Sequence, residues 1–408
     1  MVQKVVVEAV VAVTKQHITQ FCLSLITITT LVISTVQAAV LPEDRADILY
    51  HRYEGGGSII DGPSILVRKE FADKVSVWGN YYVDMLSSAS IDVVTAGSPD
   101  GYTEQRVETS AGIDYLHDRT LMSASFTSSN EDDYEASTFG LGLSQEFFGD
   151  LTTLAINYSQ GNDVVKQNIY EDGRVTQTDT QGKARHQRFG IGLTQILTKK
   201  LIVSANAESV IDDGFLNNPY RSVRFRQTVN GVEGVGTQEE VYPTTRNSDA
   251  FAIRSMYYLP YRAALRLEWR YYQDSWKIRS RNAEIRYIHP LGNQWTLEAR
   301  YRTYSQTQAQ FYSDLFDRAD IFDVYARDKE LSSYSNFTFG FGVSYEVQRK
   351  LYNWIDKLTL NAQVDHMEFS YDNFRDISGT NTQDFGLGNE PLYAFDANIL
   401  RFFVSIWY

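Results

Sequence analysis

The sequence predicts an all-β protein: a transmembrane, antiparallel, up-and-down β-barrel of about 16 strands with short periplasmic turns and long extracellular loops. Three observations predict it. Apolar residues recur at every second position in one segment after another, short and long connections alternate along the chain, and the chain ends in an apolar alternating segment. A period of two is the strand period, and about 9–11 tilted strand residues cross a bilayer.

A repeated phrase shows the alternation most clearly. It reads "FGLGLSQ" at 139–145, "FGIGLTQ" at 189–195 and "FGFGVSY" at 339–345. Large apolar residues alternate with glycine or a hydroxyl residue, so the two kinds point to opposite faces of a strand. We expect the large residues to face lipid and the glycines to face the lumen.

The first 38 residues are predicted to be a cleaved signal peptide. Lys4 and Lys15 precede an apolar run at 21–36, which ends before Ala38. A membrane anchor is the alternative, but the run is short and rich in Thr and Ser. The barrel would then occupy residues 39–408. The single cysteine, Cys22, lies in the signal segment, so the exported chain is predicted to have no disulfide, no thioether-linked haem and no cofactor.

The charge excludes one class of partner. The formal net charge is −13, whereas a nucleic-acid-binding protein is expected to be basic. The partners predicted instead are outer-membrane lipid and lipopolysaccharide, the barrel-assembly machinery and small polar solutes. The oligomeric state stays open.

Sixteen segments have the strand pattern. They are, in chain order, 47–55, 62–71, 75–86, 106–116, 121–130, 135–147, 151–161, 185–196, 201–211, 249–259, 263–273, 277–288, 295–305, 334–347, 357–371 and 397–408. Tight turns follow the even-numbered segments. All the long connections follow odd-numbered ones, at 87–105, 162–184, 212–248, 306–333 and 372–396. One rim of the barrel is therefore predicted to carry short turns and the other rim long loops.

The last segment carries an assembly signal. Counting back from the terminal Tyr408, every second residue is apolar: Ile406, Val404, Phe402 and Leu400. A terminal aromatic residue preceded by this pattern resembles the signal that Gram-negative barrel-assembly machinery recognises.

Tryptophan positions predict an aromatic girdle. Five of the six tryptophans fall at or near predicted strand ends, where such a girdle meets lipid headgroups. They are Trp269, Trp276, Trp295, Trp354 and Trp407.

Charged residues are densest on the predicted inner face of strands ten to thirteen. The predicted pore-lining residues are Arg254, Arg262, Arg266, Glu268, Arg270, Glu284, Arg286, Glu298, Arg300 and Arg302. They could select or orient a polar solute, or they could form a cross-strand ion-pair ladder that holds register. The excess of arginine favours anion selection.

The connection 212–248 is too long for an ordinary loop, and it contains a hairpin pattern, "SVRFRQTV" followed by a glycine-rich bend and "TQEEVY". Its predicted functional residues are Tyr220, Arg221, Arg224, Arg226 and Arg246. It could fold inward as a constriction, which we favour because loops of this length are usually functional. It could also extend outward as a receptor surface.

Catalytic and metal sites are not predicted. Asp365 and His366 are adjacent, so in a strand they point to opposite faces. His117 and Asp118 lie in a predicted turn. The acidic residues at 314, 317, 320 and 323 do not have the spacing of a calcium loop. The chain is therefore not expected to be an enzyme, although an outer-membrane hydrolase is kept as an alternative.

Three stretches carry a family resemblance: "FLNNPYRSVRF", "EVYPTTRNSDAF" and "LRLEWRYYQDSWKI". They resemble a family of uncharacterised Gram-negative outer-membrane proteins defined by a domain of unknown function. The resemblance implies a porin-like barrel. Relatives occur beside periplasmic thioredoxin-like and flavin-transferring proteins. The resemblance therefore also implies a redox-linked periplasmic partner.

Two functions follow from these patterns. The first is an outer-membrane, porin-like channel that passes small polar or anionic solutes. The second is a non-conducting scaffold or anchor for a periplasmic partner.

Overall fold

The strands account for most of the chain. The computed structural model describes residues 40–88, 102–171, 174–347 and 353–408; the predicted signal peptide lies outside them. The strands are β1 (Arg45–Gly55), β2 (Ser58–Phe71), β3 (Val75–Ser88), β4 (Tyr102–His117), β5 (Thr120–Asn130), β6 (Tyr134–Phe147), β7 (Thr152–Glu171), β8 (Arg174–Thr198), β9 (Leu201–Gly214), β10 (Ser222–Val229), β11 (Val232–Glu239), β12 (Thr245–Tyr258), β13 (Ala264–Asp274), β14 (Arg279–Leu291), β15 (Trp295–Gln306), β16 (Tyr334–Glu346), β17 (Lys357–Arg375) and β18 (Leu392–Trp407).

Helical structure is confined to two short elements in these residues, a 3-10 helix (Lys329–Leu331) and an α-helix, α1 (Asn381–Phe385). No helix of the described residues is long and apolar enough to cross a membrane.

Sixteen strands form one closed barrel, and β10 and β11 form a separate hairpin. Every barrel strand pairs antiparallel with its two neighbours, and β9 pairs with β12 across the hairpin insertion. The first and last strands close the ring, with β1 paired to β18 from Arg45↔Trp407 to Gly55↔Ala397. A closed ring leaves no unpaired edge, which is the condition for a sheet to cross lipid.

The distribution of apolar and polar side chains on the two faces of the barrel is the reverse of that in a soluble protein. Large apolar side chains face outward and are exposed, such as Phe339 at 56%. Polar side chains of the same strands are buried inside the ring, such as Asp365 at 1%. This is the architecture of a transmembrane barrel, with a lipid-facing apolar band around a polar interior.

The repeated glycine phrase lies on β6, β8 and β16, where its large residues are exposed outside. Its glycines make room for polar side chains inside. A Cβ added at Gly190 would lie 2.1 Å from Asn157 Oδ1. One added at Gly340 would lie 2.1 Å from Asp365 Oδ1 and 2.6 Å from Arg300 Cγ. The predicted orientation of the phrase is confirmed.

All sixteen predicted segments overlap barrel strands, but one predicted connection is wrong. Residues 162–184 were expected to be a long loop, whereas β7 continues to Glu171 and β8 begins at Arg174. This hairpin is longer than the roughly 9–11 strand residues that cross a bilayer, and between 162 and 184 apolar residues do not alternate regularly with polar ones. Most of the predicted connection 87–105 lies outside the described residues.

The long connections that are described lie at one rim, which we call the loop rim. They join β9 to β12, β15 to β16 and β17 to β18. The opposite rim, the turn rim, carries tight turns and the end of β18. The apolar residues at 400, 402, 404 and 406 belong to β18, and the Tyr408 hydroxyl donates to the carbonyl oxygen of Arg68 at 3.0 Å.

The tryptophan prediction is wrong at one position. Trp295 and Trp354 are exposed, as a girdle requires. Trp276 is instead buried beneath Tyr242 and Phe311, and its indole N–H donates to the carbonyl oxygen of Thr245 at 2.9 Å. It belongs to the apolar packing of the loop rim and not to a lipid-facing belt.

Gly340 offers a test of the inward packing. We expect Gly340→Ala to lower the free energy of unfolding by about 1–3 kcal/mol, because the added methyl group displaces Asp365 or Arg300. Urea unfolding in vesicles measures the effect. Gly79→Ala is the control, because its Cβ would have no neighbour closer than 3.9 Å. Equal stability of the two variants would contradict the packing described for β16.

Candidate functional site: a charged lumen beneath a loop lid

Arginine residues surround Glu268 on the inner face of β12 and β13. Arg254 and Arg266 each approach its Oε2 at 2.8 Å. Arg270 lies 3.8 Å from Oε1, and 37% of its side chain is exposed. Three cations therefore share one carboxylate, and Arg270 is held least closely.

The ion pairs continue along β14 to β18. Arg286 lies 3.0 Å from Glu284 and 3.1 Å from Glu298. Arg300 donates through Nε to Asp365 Oδ1 at 2.7 Å, and Arg401 donates to Asp365 Oδ2 at 3.0 Å. Asp365 is thus a buried anion shared by two guanidinium groups from different strands.

Nine of the ten predicted pore-lining residues lie on this inner face. We call them the arginine wall: Arg254, Arg266, Glu268, Arg270, Glu284, Arg286, Glu298, Arg300 and Arg302. Arg262 does not belong to it. It lies at positive φ in the turn between β12 and β13, is exposed, and donates to the carbonyl oxygen of Gly292 at 3.3 Å.

The arginine wall has the ion pairs expected of a ladder that holds register. It also contains six arginines against three glutamates, so pairing within it leaves a surplus of positive charge. Asp365, from β17, offsets one of these charges.

The strands on the other side of β9 leave open space inside the barrel. Inward-facing positions on β6 and β8 are occupied by glycine at 140, 142, 190 and 192. Asn157 and Asn206, which neighbour these glycines, are exposed although they point inward. Solvent therefore reaches the inner surface of β7 and β9.

Sequence reasoning missed a second group of buried charges on β1 to β4. His51 Nε2 lies 2.8 Å from Asp84 Oδ1, which also accepts a hydrogen bond from the Tyr82 hydroxyl at 2.7 Å. Arg106 pairs with Glu108 at 2.5 Å. Inward-facing acidic residues were visible in the sequence of β4, but their partners on other strands were not.

Three connections cover the barrel at the loop rim, and we call them together the lid: residues 215–244, 307–333 and 376–391. The first contains the hairpin of β10 and β11, joined through Asn230 and Gly231, both at positive φ. Two positive φ values in an Asn-Gly turn are typical of a tight hairpin. The hairpin predicted in this connection is present.

The hairpin packs on the connection 307–333. Val241 and Tyr325 exchange two backbone hydrogen bonds, of 3.0 and 2.8 Å. Val223 is fully buried against Phe316 and Tyr325. The lid is therefore a folded unit with its own apolar core.

The run 220–224 ties nearly opposite sides of the barrel. The Tyr220 hydroxyl donates to Asp133 Oδ2 at 2.6 Å and accepts from the Asn168 N–H at 2.9 Å, at the top of β6 and β7. Arg224 donates to Glu390 Oε1 at 2.6 Å, just before β18. In the ring of sixteen strands, β7 and β18 are nine steps apart one way and seven the other.

The span fits the size of the ring. Sixteen strands spaced by about 4.8 Å and tilted by about 40° enclose a barrel about 30 Å across. Four extended residue steps cover about 13 Å, and the long side chains at each end reach toward the walls. The first connection therefore crosses the mouth of the barrel.

Buried charges hold the lid together. Arg224 and Arg327 both contact Asp314, Arg327 at 3.0 Å. Burial disfavours the charge on Glu390, but hydrogen bonds from Arg224, the backbone and Thr382, together with the Arg224 charge, outweigh it and lower the pKa of Glu390 to about 2. Arg221 pairs with Asp328, beside Glu240 and Tyr242.

The predicted constriction residues are distributed differently from the expectation. Tyr220, Arg221 and Arg224 are buried in the lid, at the loop rim. Arg226 is half-exposed and pairs with Glu233 at 2.7 Å. Arg246 is not in the connection: it lies on β12, binds Asp274 at 2.6 Å and stacks on the Trp276 ring at 4.5 Å.

Asp365 and His366 do not form a catalytic pair. His366 and Asp365 point to opposite faces, since Asp365 is buried inside while His366 contacts Asn398 outside at 2.9 Å. His366, Glu368 and Asp396 have ligand atoms within 4.8 Å of one another. They are open to the surroundings, however, and exposed carboxylates of this kind commonly hold no ion.

The sequence can be placed in a family. Residues 91–385 match the family described as "Protein of unknown function (DUF3570)". The chain belongs to this family. The DUF3570 match includes the arginine wall and most of the lid, while Glu390 and β18 follow it.

Several solved structures are similar to this DUF3570 protein at low identity. A bacterial polysaccharide outer membrane secretin has 7% identity and a TM-score of 0.49, covering 90% of this chain and 99% of its own. OccK2 (OpdF) of Pseudomonas aeruginosa has 11% identity and a TM-score of 0.40, covering 90% and 98%. The siderophore receptor PirA of Acinetobacter baumannii has 9% identity and a TM-score of 0.44, covering 88% and 57%. No curated protein sequence matches the chain.

Replacement of Asp365 tests the ion pairs inside the barrel. We expect Asp365→Asn to lower the free energy of unfolding by about 3–5 kcal/mol, because Arg300 and Arg401 lose a shared buried counter-ion. Urea unfolding in vesicles measures this. Glu208→Gln is the control: Glu208 pairs with Arg188 at 3.7 Å and both are more than a third exposed, so we expect about 1 kcal/mol or less. A comparable loss in both variants would contradict the special role of Asp365.

Proposed function

We propose that this protein is an outer-membrane channel for small polar or anionic solutes, with its extracellular mouth covered by the lid. The observation that carries the proposal is the surplus of arginine on an inner wall that faces open space. A sixteen-strand barrel is wide enough for an aqueous lumen. Small inward residues on β6 to β9 leave such a lumen free next to the larger charged side chains of the arginine wall, since β9 pairs with β12.

The orientation follows from the two rims. Outer-membrane barrels have short turns on the periplasmic side and longer loops outside. The lid then faces the exterior, and the turn rim with the end of β18 faces the periplasm. Lipopolysaccharide and the barrel-assembly machinery are partners expected of any protein in this position.

Arg270 is the best candidate for contact with solute. Its guanidinium shares Glu268 with two closer arginines and remains partly open to the lumen. A cation in this position raises the local concentration of anions. Arg300 is less suited to the role, because Asp365 neutralises it in a buried pair.

A second candidate function is a non-conducting scaffold for a periplasmic partner. The observation that favours it is the lid, which crosses the mouth from one wall to the other. Measurements of current separate the two functions, since a scaffold conducts in no state of the lid.

Arg270→Gln tests anion selection. In a planar bilayer with a salt gradient, we expect the reversal potential of the native protein to favour chloride. The variant should lose about half or more of this preference, because its lumen has one exposed positive charge fewer. Arg262→Gln is the control, since Arg262 lies in a turn outside the wall. Unchanged selectivity in a folded, conducting Arg270 variant would exclude this role.

Arg224→Gln tests the lid. The substitution leaves Asp314 and Glu390 facing each other without their shared cation. We expect the lid to open more often and the mean conductance to rise severalfold. Arg226→Gln, two residues along the same strand, removes a half-exposed pair with Glu233 and should leave conductance unchanged. If neither variant conducts although the barrel is folded, the result would favour the scaffold.

A further inference from the structure

A buried pair of acidic residues joins two connections of the lid. Glu240 follows β11, and Asp328 precedes the 3-10 helix of the connection 307–333; both are buried. The Tyr242 hydroxyl bridges them, at 2.6 Å from Glu240 Oε2 and 3.4 Å from Asp328 Oδ2. The backbone N–H of Arg327 donates to Glu240 Oε1 at 2.7 Å. Any separation of these connections must break this cluster.

The charges around Glu240 come from both sides of the contact. On the hairpin side are Arg221, which contacts Asp328, and Tyr242. On the other side are Asp328, Tyr312 and the two basic residues that flank Asp328 in the chain, Arg327 and Lys329. The Arg327 guanidinium is bound to Asp314 at 3.0 Å. Arg221 pairs with Asp328, and its charge also acts on Glu240, so it serves both carboxylates.

Two carboxylates facing one guanidinium leave an excess negative charge when both are ionised, and a buried excess charge is costly. A proton on Glu240 removes it. The Tyr242 hydroxyl can then accept from the protonated Glu240 and donate to Asp328. Burial, followed by the nearby Asp328 charge, raises the pKa of Glu240 to about 7, against the opposing effect of Arg221.

We infer that Glu240 is a proton-operated latch: its protonation in mildly acidic medium holds the hairpin on the connection 307–333, and its ionisation at higher pH releases it. The inference deepens the proposed channel function and rests on it for its physiological meaning. In this inference, the external pH controls access to the lumen.

The direction of the pH effect follows from linkage. Glu240 has a higher pKa in the closed lid than in an open, hydrated one, so the closed lid binds the proton more tightly. Protons therefore favour closure. This advantage is complete below the ordinary carboxyl range and is lost as the pH rises through about 7. Each unit of difference between the two pKa values changes the closed-to-open ratio by about tenfold.

Cysteine labelling measures the lid directly, without current. In a Cys22→Ser background, which has no other cysteine, Val223→Cys places one thiol where the closed lid hides it, since Val223 is 1% exposed. Val232→Cys, in the same hairpin at 69% exposure, is the control for the reactivity of the thiol itself. The maleimide labelling rate of Val223→Cys divided by that of Val232→Cys, measured in lipid vesicles, reports opening of the lid at each pH.

We expect this ratio to rise by tenfold or more between pH 5.5 and 8.5. Glu240→Gln, which keeps the shape and stays neutral, should hold the ratio at its acidic value throughout. Asp328→Asn leaves Glu240 alone with Arg221, so the rise should move to lower pH. A flat ratio with native Glu240, or the same rise in the Glu240→Gln variant, would overturn the latch.

Currents recorded on the same proteins separate this inference from the channel proposal. A pH-dependent ratio without current in a folded barrel supports the latch and rejects the channel. Steady current with a labelling ratio that does not change with pH supports the channel and rejects the latch. When both hold, open probability and labelling ratio should rise over the same pH range.

Discussion

The hydrogen-bonded seam between β1 and β18 is the contact on which the rest of the structure depends. It pairs eleven residues of β1 with the last strand and converts an open sheet into a ring. Without it, two rows of backbone donors and acceptors would face hydrocarbon, which cannot satisfy them. Closure also defines an inside, and only there can arginines and carboxylates of different strands be buried against one another.

The interior and the lid use charge in different ways. In the arginine wall, cations outnumber anions and one guanidinium stays open, so the wall keeps a net field toward the lumen. In the lid, anions and cations meet in buried contacts that hold segments from distant parts of the chain, as Arg224 does with Glu390. Buried pairs of this kind add little net stability but strongly penalise removal of one partner, which makes them suitable for a closure with two defined states.

The sequence revealed the barrel because lipid imposes a regular pattern on it. Alternation identified all sixteen barrel strands, but it failed at 162–184, where β7 and β8 continue past the length that crosses a bilayer and apolar residues do not alternate regularly with polar ones. The lid was predictable only as a long connection with a hairpin. Its decisive contacts, such as Tyr220 with Asp133, join residues far apart in the chain. Arg262 and Trp276 were misplaced for a related reason, since spacing alone does not distinguish a turn or a buried rim position from a wall.

The connectivity of the lid also orders the events of folding. Arg224 and Glu390 are 166 residues apart in the chain, and Glu390 immediately precedes the strand that closes the ring. Contacts between such distant residues form late, because the entropy of closing the intervening chain is lost before they can form. The anchorage of the lid beside β18 therefore forms only after the C-terminal strands are in place. The contact between Arg224 and Glu390 thus distinguishes a molecule whose last strands are in place from one that has stalled before them.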